Sequence, residues 1–382
     1  MSKAAELAKM GEVITNNQVG GRRNIIINGA MQVFQRGTSL NQSGGAATYS
    51  HSADRFRYEE DIEQWAGTMS QDSNTPADEQ FQYSLKTLTT TVETTIDASD
   101  FCQHCYYVEV NDGARIGFGK GSCNVSTLSF WVRSSVTGTY CIGISNDDGT
   151  QTLPLEYTIS SADTWEKKVL TVPARTSGTW ATTGNAKLMG IRWLLGKAGS
   201  SYTGGTSGTW SNDTSWAKLY SGSTFADWSR TADSTFYLTG VQYEVGSTAT
   251  PFEHRSFGEE LQLCQRYYYE RMGTGTALAV SGGEYQWAMN GIAYNTTLGV
   301  GGLSFPTPMR TTPTLGYSAV AHFIKQTAGR GDEVTAINLY DGAENATTST
   351  AYVQFNSSNS TAGGAIMTTQ NSSARLNFDA EL

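Results

Sequence analysis

Residues 236–269, FYLTGVQYEVGSTATPFEHRSFGEELQLCQRYYY, decide how the chain is divided. Tyr237, Thr239, Val241, Tyr243 and Val245 share one face, with Phe236, Leu238, Gly240 and Gln242 on the other. That period of two is what a half-buried strand requires. Gly246-Ser247 ends the strand, and Thr250-Pro251 keeps the chain extended, because a residue before proline avoids the helical region. Ser256 and Glu259 then fit the S-x-x-E capping box, ahead of Leu261, Cys264 and Tyr268 at helical spacing. A β-domain closes here, a short linking helix follows, and a second domain begins.

Upstream, short strands recur with turn residues between them. Asn24 to Phe34 reads as a first strand, with Ile25 and Ile27 opposite Ile26, and the polar stretch from Arg36-Gly37 to Ser52 reads as a loop. Asp54 and Arg55 read as a structural ion pair beside a buried Phe56. SLKTLTTTV, CYYVEV, STLSFWVRSS, TYCIGIS, WEKKVLTVPA and AKLMGIRWLLG continue the series. In STLSFWVR, Leu128, Phe130 and Val132 face one way while Trp131 and Arg133 face the other. Asn146-Asp147-Asp148-Gly149 is a turn built from residues that tolerate positive φ, and it lacks the regular oxygen ligands and terminal Glu of an EF-hand. With 41 Gly, 7 Pro and only 16% charged residues in 382, the composition favours tight-turned β-structure over helical bundles. The pattern predicts a mostly β protein, an antiparallel jelly-roll β-sandwich over 24–256.

Downstream, 257–382 holds the short helix and a smaller C-terminal β-domain, with AINLY, AYVQF, GGAIMTT and SARLNFDAEL as short strands. Pro306 and Pro308 place their segment at a sheet edge or bend. So small a segment has few local contacts with which to form a large core, and interlocking with identical copies would supply them. At the other end, 1–23 contains a short helix with Leu7, Met10 and Ile14 on or near one side. A helix that short is marginal alone, so these residues read as an attachment to copies of itself or to a larger assembly, with a frayed tail as the alternative.

The connection at 196–235 is far longer than an ordinary loop, and such loops are functional or disordered. Five of the nine tryptophans, Trp180, Trp193, Trp210, Trp216 and Trp228, fall between 180 and 228, which argues against disorder. Tyr202, Trp210, Trp216, Tyr220 and Trp228, spaced by Gly, Ser and Asn, have the chemistry to stack on sugar faces. They equally suit pinning the loop to the sandwich or to a neighbouring subunit, since large aromatics mostly bury.

Other classes are disfavoured. A net charge of -9 opposes binding to nucleic acid and to anionic membranes. No run of 18 apolar residues suggests membrane insertion, and MSKAAELAKMGEV has no apolar signal core. Cys102-Gln-His-Cys105 lacks a second pair at zinc-knuckle distance, so the five cysteines read as reduced core residues and no metal ligands are assigned. None of the four histidines sits in a G-x-S-x-G or H-E-x-x-H context. Glu59-Glu60 and Glu259-Glu260 are sequence neighbours rather than carboxylates opposed across a cleft. An enzyme is not expected.

The stretch LTGVQYEVGSTATPFEHRSFGEELQLCQRYY, with NIIINGAMQVFQRGTS at 24–39, ADRF at 53–56 and FPTPMRTTPTL at 305–315, resembles the tail-fibre proteins of tailed bacteriophages. The likeness covers about residues 24–320. It implies a carbohydrate-binding-module-like jelly roll and a homotrimeric adhesin made in the host cytoplasm and carried in the virion tail. Its N-terminus would join a tail or baseplate protein, its C-terminal domain would be the distal tip, and host surface glycan or lipopolysaccharide would be bound. Structural calcium is common in such sandwiches, although no position here marks a site. A polysaccharide depolymerase tailspike and a purely structural tail component are the alternative readings.

Overall fold

The computed structural model describes residues 22–382 apart from 78, 213–215, 223, 273–277, 281–282, 286–287, 294, 328–329, 341–345, 358–362 and 370–373. Leu7, Met10 and Ile14, the expected attachment residues, lie outside the described residues. The chain divides into two units, one ending at Glu260 and one running from Leu261 to Glu381. The break falls inside helix α1 (Phe257–Gln265). The Ser256 hydroxyl caps that helix by accepting from the Glu259 amide at 3.3 Å.

The first unit contains β1 (Ser39–His51), β2 (Phe56–Asp72), β3 (Ser84–Thr91), β4 (Phe101–Glu109), β5 (Ser126–Ser134) and β6 (Gly138–Ser145). It continues with β7 (Gln151–Ile159), β8 (Glu166–Val172), β9 (Lys187–Leu194), the two-residue β10 (Ser211–Asn212) and β11 (Thr235–Val245). Hydrogen bonds run in the order β10-β7-β6-β9-β4-β2-β3-β11-β5-β8, with β1 also on β2. Strand β2 is the joint. Its Phe56–Asp61 half pairs β4 and its Ala66–Asp72 half pairs β3, so one bent strand serves both layers.

The layers meet through rings. Phe130 of β5 lies 6.0 Å from Trp193 of β9 and 5.2 Å from Tyr157 of β7. Tyr140 of β6 lies 5.9 Å from Phe236 of β11. The chain crosses between layers on passing from β3 to β4, β4 to β5, β5 to β6, β7 to β8, β8 to β9 and β10 to β11, which is jelly-roll traffic in an antiparallel sandwich. The alternation in β5 is as read from the sequence: Leu128, Phe130 and Val132 are fully buried, and Trp131 and Arg133 are not. Burial of each such side chain contributes about 1.5–3 kcal/mol.

Two expectations upstream are corrected. Residues 24–34 form no strand. Asn24 Oδ1 accepts from the amides of Ile26 and Tyr243, each at 3.0 Å. Asn28, at φ 60°, accepts from the Gln32 and Val33 amides at 2.9 and 3.0 Å and donates to the Val33 and Asp54 carbonyls. Side-chain amides thus replace the ladder that the isoleucines suggested. The stretch expected as a loop before Ser52 is β1 from Ser39 onward, paired from Ser39↔Ser70 to His51↔Arg57. An edge strand polar on both faces shows no period of two. Phe56 is buried as expected. Beside it, Asp54 accepts from the Gln35 amide and lies 3.9 Å from Arg36, while Arg55 donates to the Tyr107 carbonyl at 2.6 Å.

The second unit contains β12 (Tyr268–Met272), β13 (Leu278–Val280), β14 (Gly283–Tyr285), β15 (Ala288–Ala293), β16 (Leu298–Ser304) and β17 (Thr314–Tyr317). Then come β18 (Phe323–Thr327), β19 (Arg330–Leu339), β20 (Thr350–Ser357), β21 (Gly363–Thr369) and β22 (Arg375–Asp379). Strands β15-β16-β20-β19-β18-β21 close a barrel, and β12-β22-β17 form a small sheet. Tyr268 therefore starts a strand rather than extending α1. This unit, for which few local contacts toward a large core were expected, has a buried cluster of its own. Closure leaves the barrel without an edge, and Phe305, Phe323, Val353, Phe355, Leu376 and Phe378 fill one cluster. Pro306 and Pro308 lie in the bend between β16 and β17.

Candidate functional site

Strands β2, β4 and β9 alternate between two environments. In β4, Cys102, His104 and Tyr106 enter the sandwich core, while Gln103, Cys105 and Tyr107 turn to the outer face of the layer. In β2, Tyr58 and Glu60 are turned away from the face that carries Arg57 and Glu59, and in β9 Arg192 opposes Cys105 across the ladder. These outward residues form the floor of a cleft of about 260 Å³. Tyr49 of β1, 61% exposed, is one wall. Phe101, Tyr202, Trp216, Leu219 and Tyr220 line the opposite side, and Lys187 stands at the rim.

Glu59 is the centre of the floor. Arg57 donates to Oε1 through Nε at 2.7 Å and again through Nη2, and Tyr107 donates to the same oxygen at 2.6 Å. Gln103 Nε2 and the Cys105 thiol donate to Oε2 at 2.8 and 2.9 Å. Burial alone would push this carboxyl up. The Arg192 and Arg57 guanidiniums, with the Cys105 and Tyr107 hydrogen bonds, overcome it and hold the group at about 2. Glu59 is therefore a fixed anion near neutral pH and a poor proton carrier.

The cations are stacked between rings. Arg57 lies 4.7 Å from the Tyr49 centroid and 4.8 Å from that of Tyr107. Arg192, 4% exposed, lies 5.4 Å from Tyr107 and 4.4 Å from Trp216. The ladder Tyr49, Arg57, Tyr107, Arg192, Trp216 thus crosses the cleft, with Lys187 4.4 Å over Tyr107. Such contacts contribute about 0.5–2 kcal/mol each. Gly190 makes room for it: a Cβ there would come within 2.7 Å of Arg192 Nη1 and 2.9 Å of Tyr107 Cε1. Trp216 itself sits at φ 67°, a left-handed conformation that costs a bulky residue about 1–2 kcal/mol. It is held against the Asn146–Gly149 turn, where its amide donates to the Gly149 carbonyl at 3.3 Å.

The five aromatics expected to act together are divided. Tyr202, Trp216 and Tyr220 come to this cleft, Tyr220 as a fully buried base donating to Gln103 Oε1. Trp228 does not: it is fully buried, 6.0 Å from Trp65, as part of the main core. Trp210 is also elsewhere, edge-on to Phe118 and Trp180 with its indole donating to the Pro173 carbonyl at 2.8 Å. The long connection both pins itself down and contributes one side of the cleft. A satellite core of Cys141, Leu194, Leu219, Tyr220 and Phe225 lies under it.

Sequence reasoning missed Tyr49, Arg57, Glu59, Gln103, Tyr107, Lys187 and Arg192. The usable signal was alternation: Arg192 interrupts the apolar run KLMGIRWLL, and Gln103 interrupts FCQHCYY. The other candidates also resolve. Cys102 and Cys105 project to opposite faces of β4, so their sulfurs do not converge, and no group of three metal-ligating residues occurs among the described residues. Glu59 and Glu60 likewise part, Glu60 accepting from Tyr58 and Gln42. Glu59 is the one carboxylate among the described residues lining the cleft.

No protein-family model matches the chain, and no protein of curated function does. Among solved structures, the tailspike protein 4 enzymatically active domain of bacteriophage CBA120 is similar at 13% identity and TM-score 0.31, over 58% of this chain and 21% of that one. The chain thus spans about a fifth of that protein's length. TmCBM61, solved with β-1,4-galactotriose, is similar at 11% identity and TM-score 0.27, over 59% of this chain and 100% of that one. The CBM22-1 xylan-binding domain of Paenibacillus barcinonensis Xyn10C is similar at 10% identity and TM-score 0.27, over 60% and 100%. TM-scores of this size transfer neither function nor partner.

Proposed function

We propose that the first unit binds a polysaccharide of a bacterial surface in the cleft between Tyr49 and Trp216. We further propose that the chain serves as a homotrimeric tail-fibre adhesin of a bacteriophage. The observation that carries the first part is the cleft itself. It pairs ring faces with a rigid, hydrogen-bonded polar floor, which is the chemistry that sugars demand: apolar CH faces stack while hydroxyls find fixed partners. The sequence resemblance at 24–39, 53–56, 236–269 and 305–315 supports the tail-fibre part. Weak single-site contacts would gain from three linked copies through effective concentration.

Binding is favoured over hydrolysis here. A glycosidase needs two carboxyls flanking the bond, one of them protonated when it acts, whereas Glu59 is held at about 2 by two arginines. The test is adsorption of the labelled full-length protein to bacteria with and without surface polysaccharide, together with its mass in solution. Trimeric protein whose polysaccharide-dependent adsorption is lost on combining Tyr49→Ala with Trp216→Ala is the expected result. Undiminished adsorption by that variant would move the site away from this cleft, and a monomeric mass would remove the adhesin assembly.

A further inference from the structure

Resting on the reading of the cleft as a saccharide site, we infer that the saccharide it takes carries a carboxylate, as uronic and sialic sugars do. The reason is a count of unused hydrogen-bonding capacity. An ionised carboxylate only accepts, whereas guanidinium and ammonium groups only donate. The acceptors of the floor are already occupied within the protein. Both Glu59 oxygens are filled, one by Arg57 and Tyr107 and the other by Gln103 and Cys105. The Gln103 side-chain carbonyl is taken by Tyr220.

The donors are not used up. Arg192 gives hydrogen bonds to Ser145 Oγ at 2.8 Å and Tyr107 Oη at 3.4 Å, out of the five N–H groups a guanidinium carries. Arg57 uses Nε and Nη2 on Glu59 and Tyr107, which leaves Nη1. Lys187 meets Asp147 at 2.5 Å through one of its three N–H groups. Charge points the same way. Three cations line the cleft against one carboxylate, and Asp147, whose side chain is 61% exposed at the rim, offsets only one of them. One positive charge is left over in a partly desolvated site, where an arriving anion is favoured and a neutral sugar leaves the surplus in place. A guanidinium fork fits a planar carboxylate with paired hydrogen bonds. The rings on either side of Arg57 and Arg192 already fix both forks, so little side-chain freedom is lost on binding.

The experiment titrates full-length protein by calorimetry with uronate-containing and sialylated oligosaccharides, each beside its carboxyl-reduced counterpart, and with sulfated and neutral oligosaccharides as further arms. The expected result is binding to at least one carboxylated member that falls at least about tenfold on carboxyl reduction and weakens as salt is raised. Lys187→Gln should weaken the same ligand several-fold with the melting temperature unchanged, which keeps the test open if Arg192 variants do not fold. Equal affinity for carboxylated and reduced forms, or a preference for sulfated or neutral members, overturns the carboxylate inference and leaves the saccharide reading standing. No binding across the whole panel by folded protein overturns both.

Discussion

Two buried polar clusters of the first unit use the same residue types to different ends. In the clamp around 22–36, Glu253 Oε2 accepts from the amides of Arg23 and Asn24, and Glu260 Oε1 accepts from that of Asn28. Arg255 donates to the carbonyls of Asn24 and Ile26. Most partners there are backbone, although Arg255 also meets Glu260 at 3.2 Å and Arg22 meets Glu259 at 2.8 Å. In the cleft, Glu59, Arg57, Gln103, Tyr107 and Arg192 bond to one another's side chains, and the two guanidiniums keep N–H groups beyond those bonds. A polar cluster that satisfies an irregular main chain is there to hold it. One that satisfies only itself and keeps spare donors is poised for something else.

The sharpest way to break this contrast is Asn28→Ala. It strands the Gln32 and Val33 amides and two carbonyls, each costing about 1–3 kcal/mol when left unsatisfied. Urea denaturation should show a loss of about 4 kcal/mol, with saccharide affinity unchanged in the protein that remains folded. Glu59→Gln comes next. It leaves the two guanidiniums on either side of Tyr107 without their shared anion, and the expected loss is about 3 kcal/mol. A stability equal to wild type would mean that the floor is not the ion cluster described.

Acidity separates the two faces of β4. His104, fully buried against the core, is held by desolvation at about 3 against an ordinary 6.5. The folded form binds that proton less readily than the unfolded form. Stability is therefore complete above pH 6.5 and declines as pH falls toward 3, by about 1.4 kcal/mol per pH unit. Glu59, also depressed, adds its own loss only between its ordinary 4.5 and about 2. Denaturation midpoints measured from pH 7 to 5 should flatten in His104→Gln and keep their slope in Glu59→Gln. The smallest effect on stability belongs to Trp216→Ala. Alanine keeps a Cβ and with it the left-handed strain, so the loss is that of the Arg192 stack alone, about 1 kcal/mol. Saccharide affinity should nevertheless drop at least about tenfold.

What could be read from the sequence followed the same line. Alternation gave β5 and β11, short runs between turn residues gave β3, β4, β6, β8 and β9, and the capping box gave α1. The conspicuous stretches NIIINGAMQVFQRGTS and TPFEHRSFGEE proved to be the two sides of the clamp, so their unusual character reflects backbone held without a ladder. The cleft was only half legible. Tyr202, Trp216 and Tyr220 stood out because a long connection rich in rings is rare, although their neighbours Trp210 and Trp228 are packing residues with the same composition around them. Arg57, Glu59, Tyr107 and Arg192 were hidden because each lies inside an ordinary strand. Only the pairing of β2, β4 and β9 brings them side by side, and long-range pairing is not written in any local spacing.

Strand β11 has one more consequence, for the order in which the molecule comes into being. It is nearly the last piece of its unit to leave the ribosome, yet it lies between β3 and β5, and residues 22–28 rest on Val241, Tyr243, Glu253, Arg255 and Glu260. Residues 22–28 therefore lack these partners until Glu260 has been made. Contacts so distant in sequence make for slow closure. Until then the nascent chain carries two half-layers with open edges, the state in which a β-protein most needs shielding from its neighbours on the same message.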